Sequence, residues 1–177
     1  SGSRGARQRQ RNTRVGRCTQ KTHLCSQAHG GSHAGRQGCW PAVIVVDTNV
    51  IAYLLITGDE TEAARAALMS DAEWAAPMSW RSEFRNVLAS YIRRRHLTVA
   101  EAIIVQHTAE EIVEGREYAV DSGEVLMLAA ESGRSAYDCE FVALARALNV
   151  PFVTSDRQLF ASFPDVAVAL RTLTDGT

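Results

Sequence analysis

No stretch of this 177-residue chain approaches the ~18 consecutive apolar residues of a membrane-spanning helix, so no segment is expected to cross a bilayer. Lysine is absent after Lys21, and residues 1–40 hold no acidic side chain. Those residues also carry almost nothing aliphatic before Trp40, and they lack the apolar centre of a secretory signal. Such a segment cannot bury enough apolar surface to offset its chain entropy, which predicts a disordered basic leader over 1–40. Its opening Ser1-Gly2-Ser3 reads as a vector-derived or mis-started extension, with an Arg-rich transit peptide or a nucleic-acid-binding tail as alternatives. Cysteine is scarce where folding is expected: Cys18, Cys25 and Cys39 lie in the leader, leaving Cys139 alone in the remainder. A lone thiol forms no internal bridge, which fits a reducing cytoplasm. The leader's Cys and His spacings match no zinc-finger pattern well. There are no internal repeats.

Charge divides the chain in two. The leader contains eight Lys/Arg, so residues 41–177 hold 19 − 8 = 11 basic and all 20 acidic side chains, a net of −9. That balance argues against broad electrostatic attraction to nucleic acid. The length suits one α/β domain over 41–177.

What is present is arranged around Val43-Ile44-Val45-Val46-Asp47-Thr48-Asn49-Val50. Its short apolar run without alternation, mostly β-branched, reads as a strand buried on both faces in a parallel sheet. Asp47 then falls at the carboxyl end, where such sheets bind ligands. A charge beside so dry a strand requires compensation, so Asp47 is either a helix cap or part of a site. Helices follow over 48–56 and 60–70, and a short strand over 74–76. Ser79 is the expected N-cap of a helix over 79–95, whose Trp80, Phe84, Val87, Leu88 and Tyr91 recur at helical spacing. Glu83 lies on that inward stripe, with an imperfect capping box to Ser79 as its rival explanation. Further helices are predicted over 98–114, from Asp121 or Ser122 to Gly133, and over 135–149. An edge strand is expected at 116–120, a second dry strand at 151–154, a short helix at 156–163 and a closing strand at 166–170. This alternation implies a mostly parallel sheet covered by helices.

Two dry strands thus end in aspartate, Asp47 and Asp156, and two helices carry an acid on the face toward the sheet, Glu83 and Asp138. Asp138 and Asp156 also look like simple N-caps. Taken together, the four converge on one end of the sheet. Two carboxylates ~4 Å apart repel by about 4 kcal/mol at an effective dielectric near 20. Converging acids therefore need a cation or must take up protons. Oxygen ligands without a Cys/His set favour Mg²⁺ or Mn²⁺, and such a site suits phosphodiester hydrolysis.

The Val45-Val46-Asp47-Thr48-Asn49-Val50 segment, Glu83, the Tyr137-Asp138 segment with Ala143-Leu144-Ala145, and Val153-Thr154-Ser155-Asp156 together resemble the PIN-domain nucleases, and among them the VapC-type toxins. The resemblance runs from about Val43 to Leu170. It implies a three-layer α/β fold with a central sheet of four to five strands, and an endoribonuclease that is the toxin of a toxin–antitoxin pair, cytoplasmic and homodimeric. In that pattern Asp47 and Asp138 would hold Mg²⁺ or Mn²⁺, with Asp156 binding directly or through water. Glu83 would take a proton from the attacking water or hold a second metal. Asn49, Thr154 and Ser155 would support these carboxylates, although Asn49 and Thr154 read equally as a helix cap and a strand end. Arg81, Arg85, Arg134 and Arg157 lie close to the acids in sequence and are candidates for gripping RNA, against a reading as solvated surface arginines. A small antitoxin could place an arginine in the acidic pocket. The chain departs from the family at Cys139-Glu140, where small apolar residues are usual. Glu140 is read as facing solvent, with a fifth site acid as the alternative.

Other functions remain open on sequence alone. A housekeeping PIN nuclease of RNA maturation would share every residue above. A haloacid-dehalogenase-like phosphatase would want an acid where Asn49 stands, and a lysine that residues 41–177 lack. A non-enzymatic binding module would use the acids as caps.

Overall fold

The computed structural model describes residues 43–69 and 73–173. The leader, with its three cysteines, lies outside the described residues. Five strands form the sheet: β1 (Val43–Val46), β2 (Glu73–Pro77), β3 (Glu117–Tyr118), β4 (Phe152–Thr154) and β5 (Ala167–Ala169). Their order is β3-β2-β1-β4-β5 and every pairing is parallel. Helices α1 (Thr48–Leu55), α2 (Thr61–Met69), α3 (Trp80–Arg93), α4 (Val99–Ile112), α5 (Ser122–Ser132), α6 (Ala136–Leu148) and α7 (Arg157–Ser162) flank the sheet in a three-layer α/β arrangement. A 3₁₀ turn over Leu170–Leu173 follows β5. No described helix is long and apolar enough to cross a membrane.

The topology fixes where a site can lie. From the central strand β1 the chain moves outward through β2 to β3, then crosses back to β4 on the other side of β1. Connections therefore diverge between β1 and β4, and the crevice at their carboxyl ends is the switch point where open α/β sheets bind ligands. Asp47 follows β1 there, and Thr154 ends β4.

Burial agrees with the periodicity. Ile44, Val45, Val46, Phe152 and Val153 are inaccessible to solvent, as expected of strands covered on both faces. Trp80, Phe84 and Leu88 bury one stripe of α3, while Val87 and Tyr91 on the same stripe are half-buried. Phe141 of α6 stacks on Phe152 of β4, ring centroids 5.8 Å apart and planes 21° from parallel. The edge strand is shorter than expected: Glu117 and Tyr118 pair in register with Ala76 and Pro77 of β2, while Arg116 before them accepts the Ala76 N–H on its carbonyl and donates its side chain to the Trp74 carbonyl.

Two caps differ from expectation and three agree. Thr98 closes a full capping box with Glu101, and Asp121 caps α5 ahead of a left-handed Gly133 (φ 68°). Ser79, however, has helical dihedrals and makes no side-chain cap. Asp138 is not a cap either. Ser135 caps α6 by accepting from the Asp138 N–H at 3.1 Å, which places Asp138 inside the first turn. Asp156 does cap α7, accepting from the Gln158 N–H at 2.7 Å.

Candidate active site

Asp47 both caps a helix and lines a cavity. As N-cap of α1 it accepts the Asn49 N–H on Oδ1 at 2.9 Å. Its other oxygen, Oδ2, accepts the Thr154 hydroxyl at 2.7 Å from the end of the neighbouring strand. The first turn of α1 and the end of β4 thus hold one carboxylate oxygen each, and only 7 % of the residue is exposed. Glu83 sits half-buried one turn into α3, and its Oε2 accepts the Thr48 hydroxyl at 2.7 Å. Asp138 is half-buried at the start of α6, where its Oδ2 accepts the Ser135 hydroxyl at 2.8 Å.

Asp47, Glu83 and Asp138 line one cavity of about 440 Å³, together with Thr48, Asn49, Ser82, Asn86 and Tyr137. Phe141, Phe152 and Leu159 form its apolar wall. Asp156 is exposed and stands outside this lining, but its charge reaches Asp47. None of the four acids forms an ion pair among the described residues.

The electrostatics follow from that isolation. Burial pushes the Asp47 carboxyl above its ordinary range, the Asn49 and Thr154 bonds pull it back, and Asp138 and Asp156 push it up again. Burial likewise raises Glu83, opposed by the Thr48 hydroxyl and reinforced by Asp47, Asp138 and Glu140. Asp47 and Glu83 thus carry repulsion from neighbouring acids, and neither forms an ion pair with a cation among the described residues.

The polar lining consists of carboxylate, hydroxyl and amide groups without Cys or His, which is the donor chemistry of a hard divalent cation. No three acidic, His or Cys side chains among the described residues already stand close enough to ligate one ion.

The remaining sequence candidates fall in different places. Thr154 grips Asp47 as described. Asn49 acts on Asp47 through its backbone N–H, and its exposed side chain borders the cavity. Ser155 does not reach a carboxylate; its hydroxyl donates to Tyr53 Oη at 3.4 Å. Arg81 is not a free rim cation. It holds Glu117 through Nε and Nη2 (2.6 and 2.7 Å) and Glu110 through Nη1 (2.8 Å). Arg85 donates to Ser82 Oγ at 3.0 Å and borders an apolar groove between α3 and α4. Arg134 bonds Gln158 of α7, linking the loop before α6 to the helix that Asp156 caps. Arg157 is exposed at the start of α7. Glu140 does not simply face solvent: it is half-buried, accepts the Ser79 hydroxyl at 2.5 Å, and acts on Glu83.

Several contributors were not singled out from sequence. Thr48, directly after Asp47, supplies the grip on Glu83. Asn86 lies one turn after Glu83, so helical spacing could have placed it on the same wall. Ser135 and Asp138 are three residues apart, which suits a reciprocal cap.

The PIN domain model matches residues 44–166, most of the chain and all four acids. This chain belongs to the PIN domain family. PIN domains are nucleases that generally use divalent metal ions. No curated protein matches the chain. Among solved structures, PAE2754 from Pyrobaculum aerophilum is similar at 20 % identity and a TM-score of 0.61, over 76 % of this chain and 89 % of that one. FitAcB from Neisseria gonorrhoeae is similar at 22 % identity and 0.54, over 71 % and 96 %. A toxin–antitoxin complex from Klebsiella pneumoniae gives 17 % and 0.52, over 72 % and 97 %. At such identities the likeness is one of fold.

Proposed function

We propose that this PIN domain is a Mg²⁺- or Mn²⁺-dependent endoribonuclease, the cytoplasmic toxin of a toxin–antitoxin pair, working as a homodimer. The observation that supports it most is the meeting of Asp47, Glu83 and Asp138 in one cavity at the sheet's switch point, without an ion pair among the described residues. Asp47 and Asp138 are the residues to hold the ion, with Asp156 joining directly or through water. When bound, the ion offsets the repulsion among these carboxylates and stabilises charge developing on the scissile phosphate.

The protein's own groups do the rest. Glu83, held by Thr48 on Oε2, keeps Oε1 to accept a proton from the water that attacks phosphorus, and its raised proton affinity suits that role. The new bond joins the water oxygen to phosphorus, the bridging P–O bond breaks, and the leaving oxygen takes a proton from solvent. Thr154 and the Asn49 N–H keep Asp47 oriented throughout. Arg85, Arg134 and Arg157 are the arginines left to meet RNA near the cavity, since Arg81 is committed elsewhere. The antitoxin role draws on the Klebsiella pneumoniae fold neighbour and on the acidity of the cavity, which suits a cationic side chain from a small partner. A short reading frame just upstream of the gene would support it.

The direct test is cleavage of single-stranded and structured RNA with Mn²⁺ or Mg²⁺. Asp47→Asn and Asp138→Asn should each abolish cleavage while the fold is retained, and EDTA should abolish it in the parent. Full activity of both variants would remove the catalytic assignment.

A further inference from the structure

Ser79 precedes α3 but does not cap it with its side chain. Its hydroxyl crosses to α6 and donates to Glu140 Oε2 at 2.5 Å, a link between residues 61 apart in sequence. Its carbonyl meanwhile accepts the N–H groups of Ser82 (2.9 Å) and Glu83 (3.2 Å). One residue therefore joins the backbone that carries Glu83 to the helix that carries Asp138.

Glu140 lies two positions after Asp138, about 200° around the helix at 3.6 residues per turn. Asp138 accordingly faces the cavity, while Glu140 borders a neighbouring cleft with Met78, Tyr118 and Ala136. A carboxylate in such a partly apolar setting is unfavourable unless hydrogen-bonded, and the Ser79 hydroxyl meets that need. Packing alone does little to join the two helices. Helix α3 rests mainly on α1 and α4, whereas α6 rests on α5 and on strands β1, β2 and β4.

We propose that the Ser79–Glu140 hydrogen bond is a positioning strut that sets the separation of Glu83 and Asp138 across the cavity. Its effect on catalysis rests on the nuclease reading above, whereas its effect on spacing does not. Glu140 touches no substrate in this account; it acts through the two helices. Sites of this kind hold their groups within about 0.5 Å, and misplacement by such amounts lowers rates steeply.

The test compares full-length Ser79→Ala, Glu140→Ala, the double variant and Glu140→Gln, whose amide oxygen can still accept the Ser79 hydroxyl. Mn²⁺ binding is read by titration calorimetry, RNA cleavage as separate kcat and KM, and the Cα separation of residues 83 and 138 by crystallography. Each alanine variant should widen that separation by about 0.5 Å, and should weaken Mn²⁺ binding and lower kcat by about tenfold with KM unchanged. The double variant should be no worse than the weaker single, and Glu140→Gln should stay close to the parent. An unchanged separation, effects that multiply in the double variant, or a Glu140→Gln as impaired as Glu140→Ala would each overturn the strut. If the parent cleaves no RNA, the nuclease reading fails, and the crystallographic separation still decides the strut.

Discussion

Replacing Thr154 by valine keeps the size of a residue that is 1 % exposed but removes the hydroxyl that donates to Asp47 Oδ2 at 2.7 Å. A hydrogen bond to a charged group contributes about 1.5–3 kcal/mol. The same hydroxyl accepts the Asp156 N–H at 3.0 Å, but Asp156 is exposed and water can replace that bond. The expected loss in metal-free protein is thus about 2 kcal/mol, close to 30-fold in the unfolding equilibrium, or about 5 °C in Tm for a domain of this size. The sign with pH is also fixed. Burial already raises the folded-state affinity of Asp47 for a proton above the ordinary value of 3.8, and Thr154 opposes that shift. Without Thr154 the folded form holds its proton still more tightly. The gap between parent and Thr154→Val should therefore widen as pH rises through the folded-state range of Asp47, then become constant. Thr154→Ser loses a methyl, about 1 kcal/mol, but keeps the bond, so its deficit should not vary with pH. Chemical denaturation in EDTA across mildly acid to mildly alkaline buffers measures all three proteins. A Thr154→Val deficit that is pH-independent, or smaller than that of Thr154→Ser at alkaline pH, would refute this account of Asp47.

Other outcomes follow from the same geometry. Asp47 and Glu83 are both raised, so metal-free protein should lose stability as pH rises through their folded-state ranges, and Asp47→Asn should flatten that curve in the same melts. Saturating Mn²⁺ should reverse the alkaline loss, since a ligand of the native state stabilises it by mass action. Thr48→Val frees Glu83 Oε2 and should lower kcat for RNA about tenfold with little change in KM, by analogy with other supporting hydrogen bonds. Arg81→Ala should lower Tm, because the guanidinium ties α3 to Glu117 and Glu110, and should leave the KM for RNA unchanged.

Residues whose environment is set by near neighbours were legible in the sequence. The β-branched run before Asp47 and the Phe152-Val153-Thr154 segment state their burial directly, and Trp80 and Phe84 place Glu83 inward through helical spacing. For Asp138 the cap stays open as an alternative in the sequence because Ser135 and Asp138 are both good capping residues three apart, and only the backbone shows which one starts the helix. What pattern could not supply were the long-range partners. Arg81 looks available until Glu117, 36 residues on, is folded against it. Thr48 looks like an ordinary first-turn residue until α3 brings Glu83 to its hydroxyl. Glu140 looks solvated until Ser79 arrives from across the cavity wall. Each of these depends on how helices lie over the sheet, which no local window records.

The most direct measurement is an anomalous difference map from crystals of the parent protein soaked in Mn²⁺. A peak among the carboxylates of Asp47 and Asp138, with Glu83 or Asp156 at its edge, and absent from Asp47→Asn crystals, is the predicted result. An empty cavity at saturating Mn²⁺, or the same peak in the Asn variant, would contradict the account.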